Sequence, residues 1–405
     1  MEQKRVIVVG GGPAGLLAGL ALAKEGVETT LITPAPPPPG TAGEARTAAL
    51  FAPSLAFLRY AGVFDAIKAA SAPMRGIRVT DDRGGLLRAP EVAFFASEIG
   101  LESFGYNVPN RALNDALRAA LRGAGSNLTW LEGVSVTAMI PEANRATVVL
   151  SDGRRISGSL VAGADGRKSV CRAGAGIGVD SHEYDQVAIT ANFRHQRPHE
   201  GISTELHGPA GPCTTVPLPG RASSLVWIER RSIGARLMAL EHAAFVAALE
   251  ARLKGLLGGV SDLVIQGQFP LSWMKAKTFA ARRVMLVSEA AHVMPPIGAQ
   301  GLNLGLRDVG HLVECISDAV RSGRDPGGDG TLAAYNTARK GDVETRMSAV
   351  DALNRSLLSD LVPVHLARGI GLHLLSAFGP LRRAVIAQGM SPSALPRMMR
   401  TPQPL

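Results

Sequence analysis

Hydrophobic positions change their period several times along the chain, and each change predicts an element. Val6–Val9 is an unbroken β-branched run, the pattern of a strand buried on both faces. Gly10-Gly11-Gly12-Pro13-Ala14-Gly15 follows, then an alanine- and leucine-rich helix ending at Gly26, then a second apolar run at Thr29–Ile32. A proline-rich loop occupies 34–40. Leu50, Leu55, Leu58 and Val63 predict a helix over 45–70. Residues 76–99 alternate as short strands around Asp82-Arg83-Gly84-Gly85. A helix from Asn110 to Leu121 carries Leu113, Leu117 and Leu121 on one face, with Asn110 as its N-cap. Residues 128–164 read as a strand meander turning at Ser151-Asp152-Gly153. The region 185–270 is mostly strands, interrupted by one charged helical insert, Glu241–Leu257. RVMLV at 283–287 restores the buried-strand pattern. It leads through another glycine-rich turn into a helix with Leu302, Leu306, Val309, Val313 and Ile316 on one face.

The order of these signals predicts an α/β architecture. Nucleotide-type patterns fall at 6–33, 161–166 and 284–308, with half-buried sheet patterns between them. That predicts a discontinuous Rossmann-like domain (1–75, 100–180 and 271–330), an inserted β-sheet domain (76–99 and 181–270) and a C-terminal helical region (331–405). No internal repeat is evident.

The first glycine turn carries the clearest chemistry. Strand, turn, helix and second strand together span roughly 30 residues, the length of a dinucleotide-binding βαβ unit. Gly10 permits the tight turn, Gly12 lets backbone approach a pyrophosphate, and Gly15 lets the helix pack on the strand. The orphan N–H groups of the helix start, around Ala14, face the phosphates. The acid that usually ends the second strand is absent. Thr33 stands there, and its hydroxyl offers the ribose a weaker contact.

Composition narrows the partners. In 405 residues, 43 Lys and Arg against 34 Asp and Glu leave a net charge of +9, which favours an acidic cofactor or an anionic lipid surface. No basic stripe interleaves with aromatics, so nucleic acid is not expected. Cys171, Cys213 and Cys315 form no CxxC pair, which points away from thiol redox chemistry and from a metal site and suits a reducing compartment. Cys171 and Cys213 read as small buried hydrophobes. MEQKR runs straight into the first strand, and no run reaches about 18 apolar residues. The expectation is a cytoplasmic protein without a signal peptide or transmembrane helix.

Two later segments extend the nucleotide signal. One is Gly163-Ala164-Asp165-Gly166-Arg167-Lys168-Ser169-Val170-Cys171-Arg172. The other runs from Val287 to Asp308 as VSEAAHVMPPIGAQGLNLGLRD. With these, the chain resembles the class A flavoprotein aromatic hydroxylases of the para-hydroxybenzoate hydroxylase fold, and among them the ubiquinone-biosynthesis ring hydroxylase family. Arg46–Leu50 (RTAAL), Tyr106–Leu117 (YNVPNRALNDAL) and Ala352–Ser359 (ALNRSLLS) add to the resemblance, which spans nearly the whole chain in order.

The resemblance implies that the discontinuous domain binds FAD. It implies that the protein hydroxylates the ring of a polyprenylphenol through a flavin C4a-hydroperoxide, with NAD(P)H or an electron-transfer partner as the reductant. It places Gly10, Gly12, Ala14, Gly15, Thr33, Arg46, Asn110, Asp165, Glu289, Pro296, Gly298, Gln300, Gly301, Leu302 and Asn303 at the cofactor, with Pro295, Gly298 and Gln300 near the flavin ring. The Gln300 and Gly301 amides would meet negative charge at the flavin N1–C2 carbonyl. Arg46 would lie along the cofactor, and Asp165 would guard the pyrophosphate region. Ser288-Glu289 replaces the family's Gly-Asp, whose acid holds the ribityl chain.

By their residue types alone, Arg46 reads first as a solvated side chain and His292 as a packed histidine, while Lys168 and Arg172 also read as a solvated face, Asp165 as turn chemistry and Asn303 as a loop staple. The segment 361–400 mixes apolar residues with Arg368, Arg382, Arg383, Arg397 and Arg400. It fits either a peripheral place on the inner membrane or packing on the protein body. The inserted sheet, including Thr214–Leu218 and Ser223–Trp227, would wall the substrate pocket. Two other readings stay open: a hydroxylase of a small soluble aromatic, and a non-catalytic scaffold in a quinone-synthesis complex.

Overall fold

The computed structural model describes residues 4–38, 46–81, 91–358, 378–380, 382–383 and 395–400. A six-stranded sheet runs in the order Ala280–Ala281, Val284–Leu286, Leu160–Gly163, Val6–Val9, Thr29–Thr33, Leu128–Glu132. All its pairings are parallel except that of Ala280–Ala281. Val6–Val9 sits at the centre, its side chains buried on both faces, which is why the run has no polar alternation. The helix Pro13–Lys24 packs beneath this sheet with every residue from Ala14 to Ala23 buried. Gly19 lets it approach closely, since a Cβ there would stand 3.1 Å from Leu31 Cδ2.

The second sheet has eight strands, ordered His292–Val293, Val260–Ala276, Val179–His195, Ala222–Arg230, Gly211–Leu218, Ile202–Gly208, Gly76–Asp81, Val92–Phe95. Its outer face packs Ile189, Phe193, Cys213, Leu225 and Trp227 against Phe245 and Leu249 of the helix His242–Leu253. Its inner face turns toward the first sheet. Among the described residues, the two longest helices are Gln300–Arg321, buried beside Pro13–Lys24, and the 30-residue Asp329–Leu358.

Several local expectations need correction. The stretch 45–70 is not one helix. Thr47–Phe51 is a strand paired with Gly105–Pro109, and the helices are Ala52–Tyr60 and Phe64–Lys68. The strand is made by a distant partner: a Cβ on Gly105 would stand 1.9 Å from Leu50 O, so only glycine permits the pairing. Asn110 is the first residue of its helix rather than the cap, a place taken by Pro109 without a side-chain cap bond. A further helix, Arg231–Met238, precedes the charged insert, whose own helix is His242–Leu253. The turn 82–85 lies outside the described residues, as does most of 361–400. At the end of that segment, Pro396 and Met399 pack against Gly310 of the long helix. No helix among the described residues is long and apolar enough to cross a membrane.

Candidate functional site

The glycine turn is built for close backbone approach at two positions and open space at a third. Gly10 has φ +140°, and a Cβ there would fall 2.2 Å from Ala164 O. A Cβ on Gly15 would fall 2.3 Å from Gly10 O, whereas one on Gly12 would meet nothing within 4 Å. Gly10 and Gly15 therefore lock strand, turn and helix together, and Gly12 faces emptiness. That emptiness is the end of a cavity of about 830 Å³ which runs from the glycine turn, past Arg46 and Asn110, to the inner face of the eight-stranded sheet.

Ala14, Asp165 and Glu289 also line this cavity. Asp165 accepts hydrogen bonds from Ser169 Oγ (2.6 Å) and the Cys171 amide (3.0 Å), which anchors the turn 164–167. Glu289 is half exposed and pairs with Arg167 at 3.3 Å. Arg46 lies over the Phe269 ring, 4.9 Å from its centre. Among the described residues, the buried Oδ1 of Asn110 has no hydrogen-bond partner. Arg172 donates to Ala290 O and Arg167 O, both at 2.8 Å. Thr33 stands apart from the lining. Its buried hydroxyl accepts from Trp130 Nε1 at 3.1 Å, and Pro34 takes the place on the wall.

The second loop turns sharply, with Gly298 at φ +63° and Ala299 at φ +52°, and Gln300 opens the long helix. Pro296, Gly298, Ala299, Gly301 and Leu302 line the cavity, while Pro295, Gln300 and Asn303 do not. Gln300 turns its side chain away, donating to Gly298 O (3.0 Å) and accepting from Arg346 Nη1 (2.9 Å). Asn303 is saturated. Its Oδ1 accepts from the Phe51 amide (3.0 Å) and Ser54 Oγ (2.7 Å), and its Nδ2 donates to Ala49 O (2.8 Å) and Ala299 O (2.7 Å). It staples the loop to the strand Thr47–Phe51, so the staple reading is the one its contacts fit. Ser288 sits at φ +57°, the left-handed region where glycine is at ease.

Behind the loop lies an ionic cluster that no local pattern announces. Asp308 accepts from the Ser288 amide (2.9 Å), His292 Nε2 (2.6 Å) and Arg339 Nε (2.7 Å). Asp342 accepts from Arg307 (2.8 Å), Arg339 (3.1 Å) and Arg346 (2.9 Å). Burial pushes the Asp308 carboxyl up, but His292 and Arg339 outweigh it and hold the group below its ordinary value. Arg307 is drawn down to about 10 by burial, against the pull of Asp342. His292 lines the cavity, yet its Nε2 is committed to Asp308. The missed member is Arg339, 31 residues from Asp308 on a separate helix.

Two helix starts open onto the cavity. One helix start meets it at the glycine turn and another at the second loop, and its volume lies near the upper end of ordinary ligand pockets.

Comparison with known proteins agrees with this geometry. A family profile described as "FAD binding domain" matches residues 3–349. The chain is 36% identical over 401 residues to ubiquinone hydroxylase UbiL of Rhodospirillum rubrum, covering 98% of this chain and 92% of that protein. It is 30% identical to the 3-demethoxyubiquinol 3-hydroxylase of Escherichia coli, covering 95% of this chain and 98% of that one. Among solved structures, p-nitrophenol 4-monooxygenase PnpA of Pseudomonas putida superposes with a TM-score of 0.75 at 20% identity, covering 95% of this chain and 97% of that chain.

Proposed function

The chain belongs to the FAD binding domain family and, within it, to the ubiquinone-biosynthesis ring hydroxylases, which are FAD-dependent aromatic-ring monooxygenases; from that premise we propose that its substrate is a polyprenylphenol. The observation that carries this reading is the continuity of the cavity. One space joins the glycine turn to an inner sheet face bearing Thr190, Asn192, Ser203, Thr214 and Ser224.

When bound, reduced flavin activates dioxygen, so that one oxygen atom enters the ring and the other leaves as water, with NAD(P)H or an electron-transfer partner supplying two electrons. The residues of this chain bind, orient and exclude water. The start of Pro13–Lys24 receives the pyrophosphate with its free amides. The start of Gln300–Arg321 favours negative charge on the reduced ring. The cluster behind it adds to that field, because Arg307, Arg339 and Arg346 outnumber Asp308 and Asp342. Ile77, Val216, Leu271 and Met294 form apolar lining between the loop and the sheet, which keeps water from the reacting atoms. Arg46, Asn110, Asp165 and Glu289 would hold the cofactor along the nucleotide end. A prenyl tail fits a peripheral place at the inner membrane or in a quinone-synthesis complex.

Quinone extracts from a deletion strain test this function. Accumulation of a less-oxygenated prenylphenol, restored by the gene in trans, is the expected result. An unchanged quinone pool would overturn the prenylphenol assignment. Purified protein that is colourless and takes up no FAD would point instead to a scaffold.

A further inference from the structure

One rung of the eight-stranded sheet crosses the cavity wall. Thr190 pairs with Val226, Val226 with Thr214, and Thr214 with Glu205, and all four line the cavity. Alternation sends their neighbours Ile189, Cys213, Trp227 and Leu206 into the apolar core on the opposite face. A carboxylate on such a rung is costly to desolvate and calls for a partner. The Glu205 side chain is only 16% exposed, and His207 Nε2, two residues along the same face, donates to its Oε2 at 3.2 Å. Among the described residues Oε1 accepts no hydrogen bond.

The other ionisable lining groups have identified contacts elsewhere. Asp165 holds its own turn, Arg167 pairs with Glu289 at the nucleotide end, His292 is bound to Asp308, and Arg46 covers Phe269. Glu205 is the lining group on the sheet that can accept a proton. Its strand face leads toward the cluster that includes the second loop. Ser203, on the same strand face, pairs with Ile77, and Ile77 and Val216 pack in one cluster with Ala299 of that loop. Glu205 lies one further step along the strand, about 7 Å on.

Resting on the ring-hydroxylase reading, we propose that Glu205, held by His207, accepts the phenolic O–H of the substrate and selects an uncharged phenol over a carboxylated aromatic. As the new C–O bond forms ortho or para to the hydroxyl, the ring loses electron density. The O–H bond then breaks, its electron pair becomes the C=O of a dienone, and the proton passes to Glu205. The ring C–H proton leaves to the oxygen atom that departs as water, which restores the aromatic ring, and the carboxyl returns its proton to the phenol oxygen. The entering oxygen comes from dioxygen and the electrons from the reductant named above. A substrate carboxylate at this wall would meet a like charge.

The test uses the FAD-loaded protein and three probes: 2-prenylphenol, its methyl ether, and 3-prenyl-4-hydroxybenzoate. Calorimetry should show the wild type preferring the phenol to the ether by roughly tenfold or more, the strength of a hydrogen bond to a charged acceptor. E205Q should shrink that ratio several-fold and tighten the hydroxybenzoate about tenfold, with kcat falling more than KM changes. E205D should keep the phenol preference, which separates a role for the charge from a defect of folding. If the wild type hydroxylates 2-prenylphenol and E205Q matches it in kcat and in both binding ratios, the inference fails and the ring-hydroxylase reading stands. If the wild type neither binds nor hydroxylates any probe, both fall.

Discussion

Asp342 is a carboxylate surrounded by cations. Burial pushes it up, but Arg307, Arg339 and Arg346 together hold it down, from 3.8 to about 2. A carboxyl depressed on folding stabilises the native state above its unfolded value and loses that contribution as pH falls through the folded one. A separation of this size corresponds to about 2 kcal/mol, present above about pH 4 and lost toward pH 2. Urea titrations across that window should show the wild type losing stability steeply. D342N should start about 3 kcal/mol lower at pH 7, because three arginines lose their partner, and should fall less between pH 4 and 2. Ser288 offers an opposite case. Its φ of +57° costs a side-chain-bearing residue about 1 kcal/mol, and its amide bond to Asp308 does not need the hydroxyl. S288G should therefore raise stability by about 0.5–1 kcal/mol, read as a higher urea midpoint with unchanged slope.

At the scale of the element, the glycine turn separates folding from binding. A Cβ at Gly15 collides with the backbone of Gly10, and turn and helix must move apart to admit it. G15A should lose about 1–3 kcal/mol of stability and its flavin together. A Cβ at Gly12 meets no protein atom within 4 Å. G12A should melt with the wild type when stripped of cofactor yet retain less FAD after desalting, read from the visible flavin absorbance. Equal flavin retention in G12A and wild type would show that the pyrophosphate does not approach this backbone. The glycines of this element were legible in the sequence because a strand, a turn and a helix adjacent along the chain announce themselves by period. The strand Thr47–Phe51 was not, because Gly105 and its neighbours make it a strand from more than fifty residues away.

At the scale of the molecule, the cavity lies between two sheets and beside two helix starts, so a ligand there bridges parts of the chain distant in sequence. FAD binding should then stabilise the whole fold. At a hundredfold excess over its dissociation constant the gain is about 2.7 kcal/mol, and thermal melts should shift upward with FAD concentration. Melting points that do not respond to FAD would mean that the ligand fails to prefer the native state. The same architecture explains the buried cluster. Asp308 and Arg339 sit on the two long helices, and their pairing ties Asp329–Leu358 to the helix that opens at the cavity.

What the chain determined by itself was local and periodic: the buried first strand, the glycine turn, the helix starts at Pro13 and Gln300, and the succession of motifs that marks the family. Those features depend on spacing within a few residues, which sequence displays directly. The roles of individual side chains were decided only by tertiary contact. Thr33, Gln300 and Asn303 sit in or beside motif positions, yet each spends its polar atoms on protein partners brought in from elsewhere. Arg339 and Glu205 lie in no motif, and they acquire meaning because folding sets one beneath Asp308 and the other on the cavity wall. A hydrogen-bonding group has a fixed capacity, and which partner fills it depends on three-dimensional proximity that no linear spacing encodes.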